Sequence, residues 1–246
     1  MQKSINIFLL IFATVTLYGQ TVDEILDKVE ANEEAATSRI EMTQLIIPAN
    51  GEERKSKLIS LSMDKGDKGL MEYITPSRIK GMKILMLNDG DDIWFYSPRT
   101  SRVRKIASHQ KKQSVNGSDF SYEDMSMQDM RKDYNGVLEG LAKLNGKNCF
   151  KIIMKAKDDS KTYAKTITWI DTTNYVMLKT ELYDEDQELW KVMVMENIEK
   201  ISGYWTPKKI EMKNIQKGSR TIMVMDKVAY DIKLKKNLFS ERNLKR

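Results

Sequence analysis

Residues 88–106 read NDGDDIWFYSPRTSRVRKI, and residues 117–125 read GSDFSYEDM. In the first string, Asn88-Asp89-Gly90 is a hairpin-turn signal opening an aromatic strand, Trp94-Phe95-Tyr96, that Pro98 stops. A basic run follows: Arg99, Arg102, Arg104 and Lys105. In the second string Gly117 permits a sharp turn, Ser118 or Ser121 can cap a helix, and Asp119, Glu123 and Asp124 suit the positive end of its dipole. Phe120, Met127, Met130 and Tyr134 then share one helical face. The spacing predicts an acid-capped helix over residues 117–134 whose apolar underside lies across a sheet.

Period-two alternation dominates the rest of the chain. The exception is its start, where Val22, Ile25, Leu26 and Val29 fall at helical spacing, so residues 22–30 read as an amphipathic helix. From Thr37 onward Ile40, Met42 and Ile46 face one way against Glu41 and Thr43, up to a hairpin signal at Asn50-Gly51. Ile59, Leu61 and Met63 alternate with Ser60 and Ser62, and Gly66-Asp67 turns the chain again. Strands follow at residues 70–75, 82–87 and 93–96. After an interruption over residues 107–134 they resume at 150–155, 165–170, 177–183, 189–198, 208–215 and 221–228, separated by turn signals such as Asn145-Gly146 and Ser202-Gly203. Parallel crossovers need helices between strands, and almost none is visible, so the sheet is antiparallel. About eleven strands in one sheet are enough to make it curl. The expected fold is α+β, mainly β: a large curved antiparallel sheet forming an open, incomplete β-barrel of about eleven strands, covered by short helices.

Residues 1–20 carry Lys3, an apolar run from Ile5 to Leu17, and then Tyr18-Gly19-Gln20, the pattern of a secretory signal peptide. The run is shorter than the ~20 apolar residues that span a bilayer. Cleavage is the favoured reading, and a retained N-terminal anchor is the alternative. Residues 21–246 then form a single domain, expected in the periplasm and soluble. The lone cysteine, Cys149, lies far from the signal region, so no lipid-modified N-terminal cysteine is available and no internal disulfide framework forms. The formal charge of +6 in the whole chain falls to +5 without Lys3. That balance suits a solvated surface, or attraction to anionic headgroups or an acidic partner. Nucleic acid is not an expected partner, since no compact basic docking motif occurs.

A curved sheet either fills its concave face with its own elements or leaves a cavity for an apolar ligand. Two segments can serve as plugs: the opening helix and residues 117–134. The second is either a static cover that completes the core or a lid displaced by an acyl chain. Its cavity-facing candidates are Phe120, Tyr122, Met125, Met127 and Met130. Trp94, Tyr96, Met42, Met63 and Met71 are the candidates in the sheet. The chain has 16 methionines, and their flexible thioethers suit a promiscuous apolar pocket and an irregular core equally well. Pairing of Asp119 or Asp124 with Arg102 or Arg104 is a candidate latch, and the two arginines are alternatively headgroup contacts.

Catalytic constellations are absent from the sequence. His109, the single histidine, lies in a basic loop without a cysteine or a paired base. Cys149 reads as a small core residue. The turns containing Asp89, Asp91, Asp92, Asp158 and Asp159 lack the spacing of a calcium loop. No enzyme activity, metal or cofactor is expected.

Taken together, the strand DGDDIWFYSP and the string GSDFSYED resemble the LolA-like family of periplasmic lipoprotein carriers, in a branch that carries GSDFSYED. Further segments extend the resemblance over most of the chain. They are ITPSRIKGMKIL (residues 74–85), Tyr163 with WID at residues 169–171, LKTELYD (178–184), YWTPKKIEMKNI (204–215) and the closing LFSERNLKR. The resemblance implies an open barrel that holds acyl chains of lipid or lipoprotein cargo against its concave face. It also implies shuttling toward an outer-membrane acceptor and association with an inner-membrane RND- or MMPL-type transporter. Lipoprotein carriers latch their lid with an arginine just before the third strand. Here that stretch reads Met63-Asp64-Lys65-Gly66, so a cargo other than lipoprotein is in view. An envelope-stress sensor of the same fold, binding a regulatory membrane protein, is the alternative function.

Overall fold

The computed structural model describes residues 19–33, 35–126, 130–159 and 161–246. Thirteen strands form one antiparallel sheet. The first six are β1 (Thr37–Ile47), β2 (Arg54–Met63), β3 (Lys68–Thr75), β4 (Lys83–Leu87), β5 (Asp92–Ser97) and β6 (Arg102–Lys105). The other seven are β7 (Tyr134–Leu144), β8 (Lys147–Ala156), β9 (Lys165–Asp171), β10 (Met177–Tyr183), β11 (Leu189–Ile201), β12 (Tyr204–Asn214) and β13 (Ser219–Tyr230). Each strand pairs with its sequence neighbour except at two places. β1 joins β13 in the middle of the sheet, and β6 and β7 lie at its opposite edges. The sheet is open, as the sequence predicts.

Two strands go beyond the expected eleven. β6 is a basic tetrapeptide, RVRK, with no alternation of polarity to mark it. It forms because β5 offers an edge, placing Lys105 opposite Trp94 and Val103 opposite Tyr96. β7 is an edge strand whose register shifts between Leu138 and Gly140, and this breaks the period of two. Most of its side chains are exposed, including Val137 and Leu141, so only Tyr134 and Leu138 mark an inward side.

The strand order has a direct consequence for the segment between β6 and β7. Twelve inter-strand spacings of about 4.8 Å separate the two edges, roughly 58 Å along the sheet. Residues 106–133 must make that crossing, and fully extended they reach up to ~95 Å. The connection therefore has slack to settle onto one face, here termed the inner face.

The opening helix α1 (Val22–Glu33) also lies on the inner face. Thr21 and Glu24 cap it reciprocally: each backbone N–H donates to the other's side chain, at 2.8 and 3.2 Å. Ile25 and Val29 are buried against Tyr134, Ile152, Met154 and Ile170 of β7–β9. The outer face carries the chain's end. Phe239, just after one 3-10 turn, and Leu244, within a second, pack on Met63, Leu70 and Leu85, with Trp94 and Tyr96 beside them.

The helix expected over residues 117–134 is replaced by a hairpin-like strap among the described residues. Asn116 and Gly117 both have positive φ, 51° and 71°. The Ser118 N–H donates to the Val115 carbonyl at 2.9 Å, closing a turn of the two-residue hairpin kind. The two arms pair through Val115 N–H to Phe120 O at 2.9 Å, Tyr122 N–H to Gln113 O at 3.2 Å and Glu123 N–H to Lys111 O at 3.1 Å. A 3-10 turn at Glu123–Met125 follows, and among the described residues of this segment Met130–Asp133 make a single helical turn, α2. Competition from local hairpin bonds, together with the polar anchors described below, overrides the helical spacing of the apolar residues.

Candidate functional site

The strap covers an apolar floor drawn from both halves of the sheet. Strand alternation turns Met42 of β1, Leu58 of β2, Met71 and Tyr73 of β3, Ile84 and Met86 of β4, Met212 of β12, and Met223 and Met225 of β13 toward it. From above, Ile106, Val115, Phe120 and Tyr122 are buried against this floor, and Met125 packs beside them. Burying each such side chain is worth about 1.5–3 kcal/mol.

Two acids of the strap dock onto polar groups of the sheet. The Asp119 carboxylate accepts hydrogen bonds from Ser219 Oγ at 2.5 Å and Thr221 Oγ1 at 2.8 Å. Its own backbone N–H donates to Thr221 Oγ1 at 2.9 Å. Asp124 accepts from the Tyr163 hydroxyl at 2.7 Å, from Lys191 Nζ at 3.2 Å and from the Ser121 N–H at 2.8 Å. Lys191 Nζ also donates to the Tyr163 hydroxyl oxygen at 3.0 Å. This ion pair is sequestered, with side-chain exposures of 5% for Lys191 and 8% for Asp124. Burial, reinforced by the neighbouring Asp124 charge, pushes the Tyr163 phenol well above its ordinary range. Beside the pair, Thr162 donates to Glu123.

Gly90 of the first string lies against Ser126, the residue that follows the second. It adopts φ +86°, and a Cβ there would fall 2.3 Å from Ser126 Cβ. Lys111 Nζ donates to the Gly90 carbonyl at 3.0 Å, and Arg54 Nη2 reaches the Gly117 carbonyl at 3.2 Å. With the strap down, a cavity of about 80 Å³ persists between Ser60, Ser62, Gly69, Met86, Met125 and Ser126. Small-molecule sites usually enclose roughly 300–1,000 Å³. A larger hollow, about 380 Å³, lies beside Thr21, Glu24 and Lys28, away from the strap.

A family model carrying the description "-like: Uncharacterized protein" matches residues 65–246. A solved domain from Vibrio parahaemolyticus, assigned to outer membrane lipoprotein sorting, is 29% identical with a TM-score of 0.83, covering 91% of this chain and 97% of that one. The chain belongs to the LolA-like family. Two further solved structures share the fold. A DUF1329 family protein from Desulfovibrio piger is 24% identical, with a TM-score of 0.84 over 90% of this chain and 96% of that one. A LolA superfamily protein from Nitrosomonas europaea is 20% identical, with a TM-score of 0.75 over 91% and 99%. No curated protein matches the chain in sequence.

In this LolA-like sheet the sequence-derived candidates separate. Phe120, Tyr122, Met125, Met42 and Met71 come together under the strap. Met130 packs instead against the α1 cluster, and Met127 lies outside the described residues. Met63, Trp94 and Tyr96 sit on the outer face against the chain's end, so they do not line the inner face. Pleating is the reason: Phe95, between the two aromatics, is the residue that turns inward.

The candidate latch is corrected in the same way. Asp119 and Asp124 bond to Ser219, Thr221, Tyr163 and Lys191, and not to Arg102 or Arg104. Arg102 is exposed. Arg104 stacks over the Phe95 ring at 5.1 Å and reaches the strap through the Tyr122 hydroxyl. Lys191, Ser219 and Thr221 were missed as site residues, although alternation held a signal for two of them. Lys191 shares a face with Met193, and Thr221 with Met223 and Met225, so each is a polar group in an inward-facing apolar row.

Proposed function

We propose that this protein is a periplasmic carrier that takes the acyl chains of lipid or lipoprotein cargo onto its inner face when residues 106–126 lift away. The observation that carries the reading is the methionine-rich floor, closed by a strap that polar contacts hold at two discrete points. Similarity to the Vibrio lipoprotein-sorting domain supports it.

The energetics are compatible with exchange. Uncovering the four buried strap side chains costs roughly 6–12 kcal/mol at 1.5–3 kcal/mol each. Burying a chain of roughly sixteen carbons returns about 0.8 kcal/mol per methylene, a gain of the same size. Among the described residues no helix is long and apolar enough to cross a membrane. Residues 1–20 serve as the export signal in this reading, and residues 21–246 act as one carrier domain. An RND- or MMPL-type transporter donates or receives the cargo at the inner membrane, with an acceptor at the outer membrane. No chemical step is assigned to the protein.

Native mass spectrometry of protein purified from its own periplasm tests the reading, since it reports the presence and mass of a bound lipid. Displacement of a hydrophobic dye by extracted lipid is the companion measurement. Lipid-free protein that also fails to bind dye at micromolar concentration would overturn the proposal.

A further inference from the structure

The carboxylates of Asp119 and Asp124 take every one of their contacts with the floor from donors. The floor supplies donors: the Lys191 ammonium, the Tyr163 hydroxyl, and the Ser219 and Thr221 hydroxyls. The strap supplies carboxylates, Asp119 and Asp124. An occupant that displaces the strap inherits this donor set. A purely apolar occupant would strand Lys191, whose Nζ lies 5.5 and 4.8 Å from the Tyr163 and Trp190 ring centroids and would keep no anionic partner. Leaving a covered cation without its counter-charge is strongly unfavourable.

We propose that the cargo carries an anionic oxygen headgroup, phosphate or carboxylate, which replaces the Asp124 carboxylate on Lys191 and Tyr163 while its acyl chain replaces Phe120 and Tyr122 on the methionine floor. Asp124 is thus an internal stand-in for the ligand's charge. This inference rests on the carrier reading and adds the chemical class of the cargo to it. Lys191 shares its strand face with Met193, and its neighbours Tyr163 and Trp190 pack in the same apolar cluster as the floor, so charge and chain must belong to one molecule to satisfy both at once.

The test compares cis-parinaric acid, an eighteen-carbon carboxylate whose fluorescence rises on binding, with its uncharged methyl ester. Wild-type protein is expected to prefer the acid by about tenfold or more, the scale of one well-made charge contact. Asp124→Asn should raise affinity for the acid severalfold, because the strap then competes less well for Lys191. The double variant D124N/K191M leaves neither partner charged and so preserves the fold. It should bind acid and ester equally, because neither the latch nor the headgroup contact then carries charge. Retention of the acid preference in the double variant overturns the headgroup assignment while leaving the carrier reading standing. Failure of wild type to bind either probe overturns both. Calorimetry with inorganic phosphate separates the sources: saturable, Lys191-dependent phosphate binding without parinaric acid binding assigns the site to a free anion and overturns the amphiphile.

Discussion

At Gly90 a methyl group has nowhere to go, since a Cβ would sit 2.3 Å from the Ser126 side chain and the backbone is already at φ +86°. Gly90→Ala is therefore expected to lower stability by roughly 1–3 kcal/mol, combining overpacking with backbone strain, and urea denaturation reads this directly. Tyr73 makes a different prediction. It is fully buried under the strap, and burial pushes its phenol up to about 12 from an ordinary 10.0. A raised folded value means the stabilisation is complete below pH 10 and is lost as pH climbs toward 12, because the unfolded phenol ionises first. The loss amounts to roughly 2–3 kcal/mol across that window. Its hydroxyl makes a long 3.5 Å bond to Gln44 and has the Asn116 side chain beside it, so Tyr73→Phe should keep the fold and flatten the alkaline limb. An unchanged alkaline midpoint would assign that limb to other tyrosines, such as Tyr163.

The strap is the element on which sequence reading and structure diverge most. Its apolar residues at helical spacing suggested a helix, yet Asn116-Gly117 is among the strongest local hairpin signals a sequence can carry. The decisive contacts are long-range: Asp119 finds Ser219 and Thr221 about a hundred residues away. Asp119→Ala removes the acceptor of two hydroxyls at a largely buried position and should cost roughly 1–3 kcal/mol. More informatively, it should loosen this element selectively, so limited proteolysis is expected to cut within residues 106–126 before any strand. Uniform cleavage across the chain would show that Asp119 acts on global stability alone. Elsewhere local patterning served well. The capping pair Thr21 and Glu24 and the buried stripe Ile25 and Val29 place α1 where the periodicity predicts it.

For the whole molecule, the placement of β6 and β7 at opposite edges obliges the chain to cross the sheet, and the crossing becomes the cover. A carrier built this way works only if that crossing moves. Replacing Asp119 and Thr221, whose side chains touch at 2.8 Å, with cysteines should tie the strap to β13. Cys149, the one native cysteine, is buried on the other face cluster and does not interfere. The oxidised pair is expected to abolish hydrophobic-dye binding, and reductant to restore it. Equal dye binding in both redox states would place the apolar site elsewhere.

Sequence alone determined the antiparallel sheet, most of its strands, the opening helix and the LolA-like resemblance, because period-two and period-3.6 patterns record which side each residue buries. It did not show β6 or β7, because edge strands take their order from a partner's hydrogen bonds and not from a buried face of their own. Nor did it assign Met63, Trp94 and Tyr96 to the outer face. Alternation fixes which residues share a side, whereas which side meets the strap depends on where the chain's end packs. The partners of Asp119 and Asp124 were decided by tertiary structure alone. Ion pairs and hydroxyl bonds between residues 39 to 102 positions apart leave no local signature, and only folding the sheet brings Lys191 and Thr221 beneath GSDFSYED.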